Sequence, residues 1–193
     1  MKANDNLITF GAPAGDEEYV MVAPGGTTPP TSASEELSDE FLDTGLVSED
    51  GITRKIDLGK EDPKRDWAKK PRLSPPGSPS EQVTVPFLSQ NAVVNRIKYG
   101  TDNVTVAEDG STMSAGFDGT TDEWVVVVNE VFNDEDGNPK RLHRIVYPRA
   151  VPKELGDEQH VADDFVVIEV TFDLLTDDSG KMSHEYWASA TEV

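Results

Sequence analysis

Two apolar runs in the C-terminal half commit the chain to β-sheet. From Asp164 to Leu175, Val166, Ile168, Val170, Phe172 and Leu174 recur at every second position, and Val167, Glu169, Thr171 and Asp173 fill the alternate ones. A period of two places these sets on opposite faces of a strand, one apolar and one mixed. In Glu123–Phe132 the consecutive valines Val125, Val126, Val127 and Val128 leave no polar face, so that strand reads as buried on both sides. Residues 133–138, Asn-Asp-Glu-Asp-Gly-Asn, have turn chemistry, and Lys140–Tyr147 is predicted to return as the hairpin partner. Asp177-Asp178-Ser179-Gly180 turns the chain again, and Met182–Ser189 reads as a last strand carrying Tyr186 and Trp187.

The N-terminal half is organised differently. Residues 1–16 are polar and read as an arm, and Tyr19–Ala23 is a short strand closed by Pro24-Gly25-Gly26. Ser34 as a cap, with Leu37, Phe41 and Leu42 at helical spacing, predicts a short helix or turn over Glu35–Thr44. From Gly51 the period becomes two: Ile52, Ile56 and Leu58 share a face that Arg54 interrupts, while Thr53, Lys55 and Asp57 take the other. Val83, Val85 and Phe87 restart a strand, so residues 60–80 form the projecting tip of a long hairpin. Ser89 or Asn91 caps a predicted helix from about Gln90 to Tyr99, with Val93, Val94 and Ile97 buried and Gly100 ending it. Asp109–Asp122 reads as loop. The expectation is a mainly β, single-domain chain over residues 1–193, a β-sandwich or barrel packed by one helix.

Composition narrows the chemistry. The 193 residues include 37 acidic and 17 basic side chains, a formal charge of −20. That much charge alone would suggest disorder, but the valine-rich runs need burial, so a folded β body with polar arms is expected. There is no cysteine, which rules out disulfides and thiolate metal sites and fits folding in a reducing cytoplasm. Met1-Lys2-Ala3-Asn4-Asp5 leads into no apolar segment of the signal type, and no run of about 18 apolar residues is present, so no membrane insertion is expected. A strongly acidic surface repels nucleic acid and anionic membrane alike.

Catalytic and metal motifs are not found. His143, His160 and His184 lack the spacing of helical zinc ligands, and in Asp134-Glu135-Asp136-Gly137 the glycine comes too early for an EF-hand loop. Adjacent carboxylates such as Asp163-Asp164 point to opposite faces of a strand and cannot cooperate, and no phosphate-binding loop occurs. No enzyme activity, cofactor or metal is expected. The basic residues within Lys140–Arg149 are interleaved with apolar strand positions and read as structural. Lys64, Arg65, Lys69, Lys70 and Arg72 differ: with Trp67 they make a positive, proline-flanked segment suited to docking on an acidic face of a neighbouring subunit, with a merely solvated loop as the equal alternative.

One order of segments resembles a known family. Val22-Ala23-Pro24-Gly25-Gly26-Thr27 follows a strand, and Leu46-Val47-Ser48-Glu49-Asp50-Gly51 precedes the first long hairpin. Further on, Pro86-Phe87-Leu88-Ser89 opens a helix that ends at Tyr99-Gly100, followed by Asn103-Val104. This arrangement resembles the tail tube proteins (major tail proteins) of long, non-contractile-tailed phages of Gram-positive hosts. It departs from their pattern after Trp67, where Ala68-Lys69-Lys70-Pro71 leads into a proline-rich insertion instead of Gly-Gly and a regular strand.

The resemblance implies a structural virion protein that stacks as hexameric rings into a tube, made in the host cytoplasm and resident in the tail. Its implied partners are other copies of itself, a tape measure protein, a tail terminator and baseplate or initiator proteins, with double-stranded DNA passing through without stable binding. It also implies ring-to-ring contacts by the N-terminal arm, the 60–80 loop and the C-terminal segment, residues 181–193. Glu169, Thr171 and Asp173 are the lumen candidates, with outside solvent as the alternative environment for that face. The rival reading is a ligand-binding β-sandwich, carbohydrate-binding and calcium-dependent through its acidic loops.

Overall fold

The computed structural model describes residues 11–13, 18–59, 64–73, 77–133 and 139–190. In chain order the first strands are β1 (Gly11–Pro13), β2 (Val20–Pro24), β3 (Leu42–Asp43), β4 (Thr53–Asp57), β5 (Lys64–Arg65), β6 (Pro71–Leu73) and β7 (Ser80–Phe87). Helix α1 (Ala92–Tyr99) precedes β8 (Val104–Val106), β9 (Met113–Ala115), β10 (Trp124–Asn133), β11 (Pro139–Leu155), β12 (Ile168–Leu174) and β13 (His184–Ser189). The architecture is mainly β, as the periodicity predicts.

The doubly apolar strand β10 lies at the centre of one layer, antiparallel to β2 and β1 on one side and to β11 on the other. β3 extends this layer beyond β2, and β13 extends it beyond the first half of β11. The last residues of β11, from Ala150 to Leu155, leave β10 and pair with β12, which begins a second antiparallel layer in the order β11-β12-β7-β4. β11 therefore belongs to both layers. Its register shifts where Pro148 and Arg149 stand opposite Val125, and again at Lys153. Bulges bend a strand and tolerate a residue without an N–H. The return strand was expected to end at Tyr147; it runs on to Leu155, because Pro148 and Pro152 sit at or beside these bulges and do not terminate it.

The inner faces of the two layers meet in one core. Val20, Val22, Trp124, Val126, Val128 and Tyr147 from the first layer pack on Val83, Val85, Phe87, Val170, Phe172 and Leu174 from the second. The other face of β10 explains its second set of valines: Val125 and Val127 join Met21, Ala23, Phe41 and Val146 in a separate cluster, with Leu37 and Tyr186 against it. The cover over this cluster is the segment expected to form a short helix or turn over Glu35–Thr44. The turn is what forms: Phe41 N donates to Ser38 O at 3.0 Å, with no helix around it. Arg144 donates from Nη1 to the carbonyls of Ser32 (3.1 Å) and Glu35 (2.6 Å), and from Nε to Asn129 Oδ1 at 2.8 Å. Those tethers hold the segment as an irregular strap, and Thr44 fastens its end by donating from N and Oγ1 to the Val20 carbonyl. Burial of Phe41, at about 1.5–3 kcal/mol, with a smaller share from the partly buried Leu37, decides the outcome against a short helix that is marginal alone.

Side contacts close the sandwich at two places. On one side Leu88 N donates to Leu46 O and Ser48 N to Pro86 O, both at 2.8 Å, which ties the end of the strap to β7. On the other, Arg54 reaches from β4 to Glu81 at 2.5 Å, to Ser183 Oγ at 2.8 Å and to Glu185 on β13. The interruption in the apolar face of β4 is thus the residue that clamps the layers. Helix α1 starts at Asn91, whose Oδ1 accepts from Val94 N at 2.9 Å, and stops at Gly100 with a φ of 88°. Val94 and Ile97 are buried in the core, and Lys98 pairs with Glu158 to hold the loop after β11.

Two further expectations change. Asp109–Asp122, read as loop, contains β9, which pairs with β8. Part of the N-terminal arm is β1, paired with Glu130–Phe132, while residues 1–10 and 14–17 lie outside the described residues. Met182–Ser189, read as the last strand, contains β13, which is bonded to β11 over Arg141–Val146, and residues 191–193 of the C-terminal segment lie outside the described residues.

Candidate assembly surfaces

The second layer has one face in the core and one facing out. Strand alternation puts Thr53, Lys55 and Asp57 of β4, Ser80, Gln82 and Thr84 of β7, and Glu169, Thr171 and Asp173 of β12 on that outer face. Apart from Pro86 and Val151 it is polar throughout, and rows of neighbouring side chains are bonded across the strands. Thr84 and Thr171 hydroxyls lie 2.8 Å apart, and Gln82 Nε2 donates to Asp173 Oδ1 at 2.6 Å. Lys153 Nζ stands 2.8 Å from Asp173 Oδ2. Burial works to raise the Asp173 carboxyl, but the Lys153 ammonium and the Gln82 amide outweigh it and hold the group below the usual carboxylate range. The three candidates Glu169, Thr171 and Asp173 therefore share one face.

That layer also ends in two open edges. Among the described residues no strand pairs the outer edge of β4, and none pairs the far edge of β11 beyond Ala150. Exposed apolar side chains gather there: Ile56 is 56 % and Leu58 80 % exposed at the β4 edge, and Leu155 is 36 % exposed at the β11 edge. Sequence periodicity gave no sign of the β11 edge, because the prolines concealed the strand that makes it.

Of the 60–80 segment, residues 60–63 and 74–76 lie outside the described residues, and residues 64–73 are more ordered than a proline-rich loop. β5 and β6 pair as a small hairpin around Asp66–Lys70. Lys69 N donates to Asp66 O at 2.9 Å, Lys70 N to Asp66 Oδ1 at 2.9 Å, and Arg65 Nη1 to Lys69 O at 3.0 Å. Lys69 takes a left-handed φ of 60°, a conformation that most side chains avoid and that closes the turn. Trp67 sits fully exposed at this tip, and Lys64, Arg65, Lys69 and Lys70 are exposed around it. The backbone of Arg72 lies in β6, and its side chain falls outside the described residues. A short return strand thus follows Trp67 despite the departure from the family pattern.

Other sequence candidates have structural partners. Arg149 grips both Glu123 carboxylate oxygens at 2.8 and 2.9 Å and Arg141 lies over the Trp187 ring at 5.6 Å, which, with Arg144, accounts for the arginines of Lys140–Arg149. Asp177 Oδ1 accepts from Ser179 and Lys181, and its Oδ2 lies 2.7 Å from His184 Nε2. Those bonds, His184 foremost, draw the Asp177 carboxyl well below its ordinary value. Asp134–Gly137 lies outside the described residues. The tryptophans make no common platform: Trp124 is buried, Trp67 is at the hairpin tip, and Trp187 stacks on His143 with centroids 3.7 Å apart. Arg54, Glu81 and Glu185 were not singled out from sequence, where only the break in an apolar face at Arg54 hinted at a clamp.

The described residues thus form a two-layer β fold in which one sheet has a polar outer face and open edges. The family model described as phage tail tube protein matches residues 1–191, so the chain belongs to the phage tail tube protein family. It is a structural component of a tail tube and not an enzyme. No curated protein matches it. Among solved structures it is similar to a chain of the PVC sheath-tube complex of an extracellular contractile injection system in its extended state, at 12% identity and a TM-score of 0.41, covering 89% of this chain and 88% of that one. The tube-terminating cap of the anti-feeding prophage is similar at 13% identity and a TM-score of 0.43, over 96% and 97% of the two chains.

Proposed function

We propose that copies of this chain close side by side into rings, expected to be hexameric, and that the outer face of the β11-β12-β7-β4 layer lines the resulting channel. The observation that carries this reading is the pair of open edges flanking a polar sheet. Every neighbour in the layer is antiparallel and the strands number four, so β4 and the end of β11 run in opposite directions. A copy rotated about the tube axis then offers its β11 edge to β4 as an antiparallel partner, which removes both edges and covers Ile56, Leu58 and Leu155. Continuous pairing of this kind makes a closed barrel from identical units.

The channel face suits a conduit. It carries Lys55 and Lys153 against Asp57, Glu154, Glu169 and Asp173, set among Thr53, Thr84, Thr171 and Gln82. Hydroxyls, amides and a small excess of carboxylates give a passing phosphate backbone no cationic surface on which to release counterions. Double-stranded DNA leaving the virion is the cargo this favours. By resemblance at Val22–Thr27 and Leu46–Gly51, the tail is long and non-contractile. The same resemblance suggests a tape measure protein, a terminator and baseplate proteins as partners, and assembly in the host cytoplasm.

Negative-stain microscopy of the purified chain tests the reading. Tubes of regular axial repeat support it, whereas a protein that stays monomeric at every concentration and with added tail initiator proteins refutes it. Ile56→Lys places a charge on the proposed seam at an already exposed position. Sedimentation should show tube growth abolished while the monomer keeps its stability within about 0.5 kcal/mol.

A further inference from the structure

We infer that Trp67 docks into a cavity at the far end of the same sheet on a second copy of this chain, so that one ring grips the next. The cavity, about 520 Å³, opens where the two layers part. Leu46, Val47, Ile52, Leu88 and Val128 give it an apolar lining. Glu49 and Glu130 stand among its walls, and Glu49 is exposed. Its size falls within the roughly 300–1,000 Å³ of pockets that take aromatic ligands, and a large aromatic side chain is the usual anchor for such a site.

The anchor matches the cavity in chemistry. Trp67 is fully exposed on a turn that its own hydrogen bonds hold in shape, so little ordering is lost on docking. Arg65, Lys69 and Lys70 surround it, and the cavity offers them the exposed Glu49 carboxylate, with Glu130, held at 2.8 Å by His143, adding negative charge behind it. In a chain of net charge −20, a cationic tip and a carboxylate-flanked apolar hollow are complementary in sign.

Chain direction places the two apart. Ile52 lines the cavity and immediately precedes β4, whereas the hairpin follows β4; likewise β7 begins at the hairpin and ends one residue before Leu88. Anchor and acceptor thus lie at opposite ends of the sheet, about 15 Å or more apart for a strand of this length. Such a pair is satisfied head to tail between copies, and a head-to-tail contact that does not close produces an open stack. This inference rests on the ring reading and adds to it a residue-level contact along the axis.

The absence of cysteine makes the test clean. Ala68→Cys puts a thiol beside Trp67 and leaves the indole in place, and Ser48→Cys puts one in the cavity wall. A short bis-maleimide added to a mixture of the two full-length variants should give a covalent dimer that neither variant gives alone. Adding Trp67→Ala to the Ala68→Cys chain should lower that product at least tenfold. Tubes seen by microscopy without the cross-link, or a cross-link indifferent to Trp67→Ala, overturn the docking inference and leave the ring reading standing. Cross-linked chains without rings support the docking and overturn the ring reading, and a protein that forms neither overturns both.

Discussion

The two layers of this protein are built from the same kind of antiparallel strand, yet one is finished within the monomer and the other is not. In the first layer, β10 buries Val126 and Val128 in the main core and Val125 and Val127 beneath the strap of residues 33–41. In the second, β12 buries Val170 and Phe172 on one face and leaves Glu169, Thr171 and Asp173 on the other, with no strand among the described residues along the outer edge of β4. The monomer therefore spends its own chain on covering one sheet, while the other keeps a polar face and two edges for assembly. Covering depends on what the sequence between strands can supply, not on the strands alone.

Perturbations of decreasing size probe that contrast. The largest effect is expected from Phe172→Ala, since Phe172 is fully buried where both layers meet. Loss of about 3–5 kcal/mol of unfolding free energy, read by urea denaturation, is predicted; a loss below 1 kcal/mol would mean the layers are not packed through that residue. Arg144→Ala comes next, because it frees the strap and removes only one side-chain bond to β10, that to Asn129 Oδ1. A loss of about 2–3 kcal/mol is expected from breaking charged hydrogen bonds in a buried setting. Limited proteolysis should then cut within residues 33–41, and resistance there would break the account of the first layer.

The smallest effect belongs to the outer face. Lys153 and Gln82 depress the Asp173 carboxyl below its unfolded value near 3.9, so its contribution is present above that pH and lost as pH falls through the lower folded value. Asp173→Asn should flatten the stability profile below about pH 4 and cost less than about 1 kcal/mol at neutrality, because the pair is exposed to screening. A cost comparable to Arg144→Ala would show that this face is structural, erasing the difference between the layers.

Much of this was legible beforehand, for local reasons. The alternation at Ile168–Leu174, the Asn91 cap with Gly100 at the helix end, and the Asp177–Gly180 turn each follow from a few adjacent residues, and each appears where periodicity and turn chemistry put it. The misreadings share another cause. Leu37, Phe41 and Leu42 allow a helix or a turn, and only the turn ending at Phe41 forms, because tethers from Arg144, about a hundred residues later in sequence, keep Glu35 and its neighbours irregular. Pro148 and Pro152 suggest an end to β11, but bulges absorb both. Of the candidate site, sequence marked Trp67 with its cations and the row Glu169, Thr171 and Asp173 and hinted at Arg54, while the cavity, the open edges and the partners of Arg54 were invisible.

By itself, then, the sequence determined that the chain is β-rich, which residues of each strand share a face, and that one positive segment stands out from an acidic whole. Those properties follow from the fixed two-residue period of a strand and from charge, which need no knowledge of neighbours. Only the tertiary structure decided that β11 joins two layers, that Arg54 meets Glu185 across a separation of 131 residues, and that Trp67 and an apolar cavity end up at opposite ends of one sheet. Non-local pairing is chosen by the fit of whole surfaces, and no short stretch of sequence records which surface its own will meet.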